Sequence, residues 1–329
     1  MENKKCLLII NPISGISDKQ GIEETVLRAL EPMGFSIDIF RTTAHGDATR
    51  ASRKAADDGF DSVIVAGGDG TVNEAAAALR GTQVKLGIIP CGSGNGLARH
   101  LEIPIDVEGS LDIIKKNHPV PCDYGMVNEL PFFCTFGLGF DAEVSAYFAE
   151  QKKRGLLTYV RSIIKKFKDY TSEEYTIWAN GTKLTEKAFI IAVCNASQYG
   201  NNAFIAPKAS MTDGLLDITI VHQGNPFSTA VMGFNLMAGN LDKNTLINTI
   251  RVPSAVIHRS KPGAAHIDGE PVVLGEKMEI FCQPGKITIY TNPNYTEFRP
   301  VVTPVKSLFD DLNYAIRRLK HKKENNKIK

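Results

Sequence analysis

The stretch SVIVAGGDGTVNE, residues 62–74, decides the fold of this chain. Its first half is an apolar run with the length of a buried strand, and residues 72–79 have the spacing of a helix. The glycines between them fall where open α/β sheets bind ligands. Glycine lets the backbone approach an anion closely, and a helix N-terminus presents unpaired N–H groups. We therefore predict a phosphate-binding turn. The alternative, an ordinary helix cap by Asp69 or Thr71, explains only one of the glycines.

The same alternation of strand and helix surrounds this stretch and indicates a parallel sheet. The patterns predict strands at residues 5–10, 35–40, 62–66 and 86–89, and helices at 17–30, 49–57, 72–79 and from 97 onward. A βαβα succession builds a mostly parallel sheet with helices on both faces. We expect the first part of the chain to be an α/β domain of this kind.

Two further loops follow predicted strands in this part of the chain. PCGSGNG (residues 90–96) exposes backbone amides and adds the Ser93 hydroxyl and the Asn95 side chain, and NPISG (residues 11–15) follows the first strand. Neither loop matches the P-loop pattern GxxxxGK[ST] or the pattern GxGxxG. Because the carboxyl ends of parallel strands meet at one edge of a sheet, we predict that these loops form one phosphate-binding site.

The pattern changes near residue 120, where strands and hairpin turns replace the alternation. We predict strands at residues 124–127, 132–136, 176–179, 189–193, 215–221, 256–258, 278–282 and 287–290, and helices at about 142–168 and 228–237. Asn180-Gly181 is a strong hairpin signal. The predicted architecture is an α/β domain over residues 1–125 and a β-rich, mainly antiparallel domain over residues 126–290. Residues 291–329 are able to pack back on the first domain.

Composition limits the class of protein. Of the 329 residues, 43% are hydrophobic and 22% are charged, which is typical of soluble globular proteins. No apolar run reaches the ~20 residues that a membrane-spanning helix needs. The six cysteines contain no CxxC pair, and the seven histidines show no HxH or HxxxH spacing. We therefore expect reduced thiols in a cytoplasmic protein and no zinc site.

The charge is distributed unevenly along the chain. The net charge is +2, but residues 314–329 contain seven Lys/Arg and one Glu, so they carry +6 and leave −4 for the rest. This asymmetry indicates an anionic partner for the tail. Apolar residues at helical spacing over residues 305–319 predict either a helix packed on the body or a peripheral helix on an anionic membrane. Nucleic-acid binding is not expected, because no recognition motif accompanies the tail. A homodimer is left open.

Taken together, the motifs resemble the diacylglycerol kinase catalytic-domain family, which includes soluble bacterial lipid kinases and sphingosine kinases. They are GGDGT with a following Asn-Glu, the early NPxSG, the PCGSGN loop and Asp268-Gly269-Glu270, in matching order from about residue 5 to residue 290. GGDG alone is shared with NAD kinases and phosphofructokinases, whose nucleotide-binding domains are similar. The resemblance implies a kinase that uses ATP and Mg²⁺ to phosphorylate a membrane lipid, diacylglycerol or a sphingoid base, at the inner face of the membrane.

The resemblance also implies roles for individual residues. Those that would contact ATP lie in the loops after the first four strands: Asn11, Thr42, Gly67, Gly68, Asp69, Gly70, Thr71, Asn73, Glu74, Ser93, Gly94 and Asn95. Glu270 matches the proposed general base, and Asp69 matches an acid assigned either to the magnesium network or to the base role. Ser210, Asp213 and Leu215 resemble a structural magnesium loop. Glu143 aligns with an acid near the lipid headgroup, with a solvated helix face as its alternative.

One position departs from the family pattern. Many bacterial diacylglycerol kinases have Asn-Asp in the second loop, where this chain has Asn95-Gly96. The missing carboxylate weakens the expected magnesium network, and the GSGNG form is more similar to the loop of sphingosine kinases. Two alternatives remain: a kinase of a soluble substrate such as NAD, and a non-catalytic sensor that binds lipid or nucleotide.

Overall fold

The computed structural model describes residues 4–13, 21–149, 170–224 and 246–294. Within these ranges the chain forms two β-sheets with helices packed against them. The predicted helix at 228–237, most of the predicted helix at 142–168 and the basic tail lie outside the described residues.

The first sheet begins with four parallel strands in the order β2-β1-β3-β4. They are β1 (Lys4–Ile10), β2 (Phe35–Arg41), β3 (Ser62–Gly67) and β4 (Lys85–Pro90). They alternate with α1 (Ile22–Leu30), α2 (Asp47–Asp57), α3 (Asp69–Leu79) and α4 (Gly96–His100), and α5 (Val107–Lys115), which was not predicted, follows. Every residue of β3 is buried, as expected for a central strand covered on both faces. The predicted parallel α/β arrangement is confirmed.

The sheet continues into the second half of the chain through one long strand, β16 (Lys277–Tyr290), which pairs with β4 in parallel. Its other neighbours are antiparallel: β5 (Pro119–Val127) and β13 (Ser254–Arg259). Beyond β13 the sheet adds β8 (Glu173–Ala179) and β9 (Thr182–Ala188), joined by the predicted Asn180-Gly181 turn, and β6 (Leu130–Phe132) pairs with β5.

The prediction of two separate strands at 278–282 and 287–290 is wrong. Both segments belong to β16 because both pair with β5, and only the register shifts between Gln283 and Ile287. Pro284 and Gly285 lie within this irregularity. The predicted domain boundary at residues 125–126 falls inside β5.

The second sheet is antiparallel throughout, with the strand order β12-β11-β10-β7-β14-β15. These strands are β7 (Thr135–Gly139), β10 (Ile190–Cys194), β11 (Leu216–Val221), β12 (Ile247–Val252), β14 (Gly263–Ile267) and β15 (Glu270–Leu274). Helix α6 (Phe140–Ala149) packs against β14 and β15. The predicted β-rich, mainly antiparallel second part is confirmed.

The predicted strand at 132–136 is interrupted, because the chain passes there from one sheet to the other. Strand β6 ends at Phe132 and β7 begins at Thr135. The backbone N–H groups of Phe133, Cys134 and Thr135 all donate to the Asp268 carboxylate. Since a side chain takes these donors at the transition, the ladder of a single strand cannot run through it.

Three hydrophobic clusters of described residues stabilise this arrangement: one between the parallel strands and their helices, one between the two sheets, and a smaller one around Phe140 and Phe189. Leu8, Ile64 and Leu86 are fully buried in the first cluster, and Phe136 and Ile218 are fully buried in the second. All six cysteines are free thiols, and five of them are buried. Among the described residues, no helix reaches the length and apolar character that crossing a bilayer demands.

Asp123 in β5 holds the irregular part of β16 in place through a hydrogen bond from Gly285. Its buried carboxylate accepts the N–H groups of Gly214 and Gly285, both at 2.7 Å. Asp123→Ala removes both acceptors, so we expect the free energy of unfolding in urea to fall by about 1–3 kcal/mol. The control is Asp112→Ala at an exposed position of α5, for which we expect a change within about 0.5 kcal/mol. Equal losses in the two variants would contradict this role.

Candidate nucleotide and acceptor site

Asp69 joins the two glycine loops. It is the first residue of α3, and its Oδ2 accepts the N–H of Asn95 at 2.9 Å while its Oδ1 accepts the N–H of Gly96 at 2.8 Å. Asn95 is the N-cap of α4 and has a left-handed backbone with φ of 51°. The second loop therefore closes on the first across the ends of the neighbouring strands β3 and β4, as the sequence predicts.

The ends of β1 and β2 reach the same edge of the sheet. Asn11 donates from Nδ2 to Thr71 Oγ1 at 2.8 Å, and its Oδ1 accepts the N–H of Ile13 at 3.0 Å. Thr42 is buried and donates its backbone N–H to the Ile10 carbonyl at 2.9 Å. The structure thus gathers residues from four strand ends beside one another. Residues 14 and 15 of the NPISG loop lie outside the described residues.

The other residues predicted to bind the nucleotide differ in what they contact. Ser93 is exposed at the tip of the second loop, and Asn73 is half-buried in α3. Glu74 points to the start of α2, where its carboxylate accepts the N–H groups of Gly46 at 2.8 Å and Ala48 at 3.1 Å. Glu74 therefore holds the first turn of α2 against α3, beside the end of β2.

Glu270 comes from the second sheet and reaches the first glycine loop. It follows the two-residue turn Asp268-Gly269 between β14 and β15, in which both residues have left-handed backbone, with φ of 50° and 84°. A Cβ added to Gly70 would lie only 2.9 Å from Glu270 Oε1. The exposed carboxylate of Glu270 is therefore next to the loop that follows β3, and a side chain at position 70 would displace it.

Asp268, the first residue of the Asp268-Gly269-Glu270 motif, has a supporting role that the motif alone does not indicate. Asp268 is half-buried, and its carboxylate accepts three N–H groups, from Phe133 at 2.8 Å, Cys134 at 2.7 Å and Thr135 at 2.8 Å. Burial raises the pKa of Asp268 to about 6, although the three backbone hydrogen bonds act in the opposite direction. Asp268 ties the turn that carries Glu270 to the passage between the two sheets.

The loop at residues 210–215 contains the predicted magnesium ligands. Asp213 Oδ1 accepts the N–H of Leu215 at 3.0 Å, and Asp213 Oδ2 lies 3.6 Å from Arg251 Nη1. The donor set is one carboxylate and the carbonyls of Ser210 and Leu215, and it fits Mg²⁺ chemically because this ion keeps several water ligands in proteins. The positive charge of Arg251 partly offsets the negative charge of Asp213. Among the described residues, no group of three or more acidic, histidine or cysteine side chains could hold a metal ion.

Glu143 lies on α6, the helix that packs against the hairpin carrying Glu270. Its side chain is half-buried, and its negative charge adds to the burial that raises the pKa of Tyr170. A surface groove of about 480 Å³ between β8, β13 and β16, lined by Trp178 and Phe281 among others, contains none of the predicted site residues. The glycine-loop residues at the ends of the parallel strands and Glu270 beside them therefore do not line this groove.

The chain is similar to known proteins in both sequence and structure. Residues 5–127 match the family model of the diacylglycerol kinase catalytic domain, and residues 135–291 match that of the YegS C-terminal NAD kinase beta sandwich-like domain. The "Probable lipid kinase YegS-like" of Cronobacter sakazakii is 29% identical over 289 residues, which are 86% of this chain and 95% of that protein. Its namesake in Pseudomonas fluorescens is 28% identical, with 88% and 96% covered. The crystal structure of a diacylglycerol kinase from Bacillus anthracis shares the fold, with a TM-score of 0.68, 23% identity, and 90% and 100% covered.

The raised pKa of Asp268 predicts an unusual dependence of stability on pH. Because this pKa is about 6 in the folded protein and 3.8 ordinarily, the folded state binds a proton in this interval that the unfolded chain does not bind. The contribution of Asp268 to the free energy of unfolding therefore rises as the pH falls through the interval, by roughly 1 kcal/mol per pH unit. In urea unfolding, the free energy of unfolding of wild type minus that of Asp268→Asn should increase from pH 7 to pH 5. A difference that narrows or stays constant would contradict the assignment.

Proposed function

The chain belongs to the diacylglycerol kinase catalytic-domain family of lipid kinases, and from this membership we propose that it transfers the γ-phosphate of ATP to a hydroxyl of a membrane lipid. Diacylglycerol or a sphingoid base is the proposed acceptor. The first sheet binds ATP at the ends of its parallel strands, and the second sheet presents the acceptor.

The observation that carries the proposal is the approach of Glu270 to the first glycine loop, where its Oε1 lies 2.9 Å from the Cβ position of Gly70. The lipid hydroxyl oxygen forms a bond to the γ-phosphorus, the bond from this phosphorus to the β–γ bridging oxygen breaks, and ADP leaves. The hydroxyl proton passes to the Glu270 carboxylate, which acts as the general base. A positioned base of this kind contributes roughly 10²–10⁴-fold to the rate.

The contacts of Asp69 support a role in ATP binding rather than in proton transfer. Each of its carboxylate oxygens already accepts a backbone N–H of the second loop, from Asn95 and Gly96. This clamp holds the backbone of both loops in place, so that amides at the start of α3 can bind phosphate oxygens. Mg²⁺, when bound, neutralises phosphate charge, and we propose Ser210, Asp213 and Leu215 as a separate structural site for the same ion.

The acceptor side and the membrane complete the proposal. Glu143 on α6 lies on the element that packs against β14 and β15, so we assign it to the lipid headgroup. The +6 charge of residues 314–329 supports peripheral contact with an anionic membrane, since basic residues near such a surface contribute about 1 kcal/mol each.

The test is ATP-dependent phosphorylation of diacylglycerol and sphingoid bases in mixed micelles, with mass detection of the product. We expect Glu270→Gln to lower kcat by about 10²–10⁴-fold with little change in ATP affinity, because it removes the base and keeps the shape. Asp69→Ala should weaken ATP binding, since the two loops lose their clamp. The matched control is Glu276→Gln, an exposed glutamate in the turn after β15, which should keep full activity.

Three outcomes would overturn the proposal or its site assignment. Folded Glu270→Gln and Asp69→Ala proteins with wild-type activity would reject these roles. Activity on water-soluble acceptors without lipid, or ATP binding with no turnover of any lipid, would reject the lipid kinase in favour of a soluble-substrate kinase or a sensor.

A further inference from the structure

A buried network of hydrogen-bonded side chains lies next to the turn that carries Glu270, and no sequence motif indicates this network. Asp141, in the first turn of α6, accepts hydrogen bonds on Oδ2 from the Tyr199 hydroxyl at 2.9 Å and from His266 Nε2 at 3.1 Å. The side chains of Asp141 and His266 are only 7% and 2% exposed. A carboxylate and an imidazole removed from water in this way need each other as partners.

The backbone around this pair has the shape that the pair requires. His266 on β14 pairs in register with Gly137 on β7, so the imidazole lies across the position where a side chain would stand. A Cβ added to Gly137 would be 2.1 Å from His266 Nε2 and 2.5 Å from Asp141 Oδ2. Only glycine at position 137 allows the imidazole and the carboxylate to meet.

The hydrogen bond to Asp141 determines what the other ring nitrogen can do. Because His266 Nε2 donates to a carboxylate, the neutral ring has its hydrogen on Nε2, and Nδ1 is an acceptor. Nδ1 faces the backbone N–H of Gly269 at 3.4 Å. Gly269 immediately precedes Glu270, so His266 supports the turn at a second point, in addition to Asp268.

The segment that contributes Tyr199 to this network also contacts the second glycine loop. The N–H of Asn201 donates to the Gly94 carbonyl at 3.2 Å, and a Cβ on Gly96 would lie 3.3 Å from the Tyr199 carbonyl oxygen. The Tyr199 hydroxyl then reaches Asp141. A continuous set of contacts therefore connects the loop proposed to bind ATP with the turn proposed to carry the base.

We propose that Asp141 and His266 are positioning residues for Glu270. Asp141 holds the tautomer of His266 whose Nδ1 accepts the Gly269 N–H, and this bond keeps the Glu270 carboxylate beside Gly70 when the acceptor hydroxyl arrives. The proposal rests on the proposed lipid kinase function and adds a requirement that the family motifs do not contain.

The test compares three variants in the lipid phosphorylation assay. His266→Ala removes the acceptor, so kcat should fall about tenfold with an unchanged KM for ATP, which corresponds to the loss of one hydrogen bond. His266→Asn places an amide oxygen where Nδ1 stood and should recover most of kcat. Asp141→Asn lets the ring place its hydrogen on Nδ1, where it opposes the Gly269 N–H, and should lower kcat as much as His266→Ala does.

Two further measurements separate positioning from a merely structural effect. In a Glu270→Gln background, His266→Ala should cause no additional loss of kcat, because residues that act through one group are not additive. The control is His258→Asn, a half-buried histidine on β13 that contacts Trp178 and should keep full activity. An equal tenfold loss in the Glu270→Gln background, or no recovery in His266→Asn, would overturn the proposal.

Hydrogen exchange distinguishes failure of this inference from failure of the proposed function. If wild type phosphorylates no lipid, the proposed function fails, yet the network is still measured by exchange of the Gly269 amide. His266→Ala should accelerate this exchange about tenfold and His266→Asn should not. Unchanged exchange in His266→Ala would overturn the positioning role whatever the catalytic activity.

Discussion

The whole site depends on one constraint: the carboxylate of Asp69 must accept two backbone N–H groups of the loop after β4. Strands β3 and β4 are neighbours, so the turns that follow them emerge side by side, but glycine-rich turns have no preferred conformation of their own. The two hydrogen bonds select one conformation for both turns. Backbone amides that would otherwise be mobile are then preorganised, which is what binding of a polyphosphate by main-chain groups requires.

The second constraint brings a group from the other sheet to this edge. Glu270 follows a tight turn that two sets of hydrogen bonds hold in place, three between Asp268 and backbone N–H groups and one between His266 and the Gly269 N–H. His266 is buried and Asp268 is half-buried, whereas Glu270 is exposed. Rigid support of the turn beneath an accessible carboxylate suits a residue that must meet an incoming hydroxyl without moving its own backbone.

Local signals in the sequence predict the elements and the glycine loops, and they fail where distant residues decide the structure. The α/β alternation, the Asn180-Gly181 hairpin and the loop residues are patterns of a few neighbouring positions. The sequence predicts two strands at 278–282 and 287–290, but both segments pair with the distant strand β5 and therefore form one strand, β16. Asp268 and Phe133 are separated by 135 positions in the sequence, and His266 and Asp141 by 125. No rule based on local spacing could therefore indicate these contacts.

The most direct test of the account is a titration of the folded protein with ATP, followed by amide chemical shifts in two-dimensional NMR. If Asp69 joins the two turns into one phosphate-binding site, the largest shifts should appear together in residues 67–73 and 93–96, at the same ATP concentration. In Asp69→Ala, the shifts in 93–96 should weaken first. Shifts confined to one turn, or located at the groove beside Trp178, would contradict the central claim.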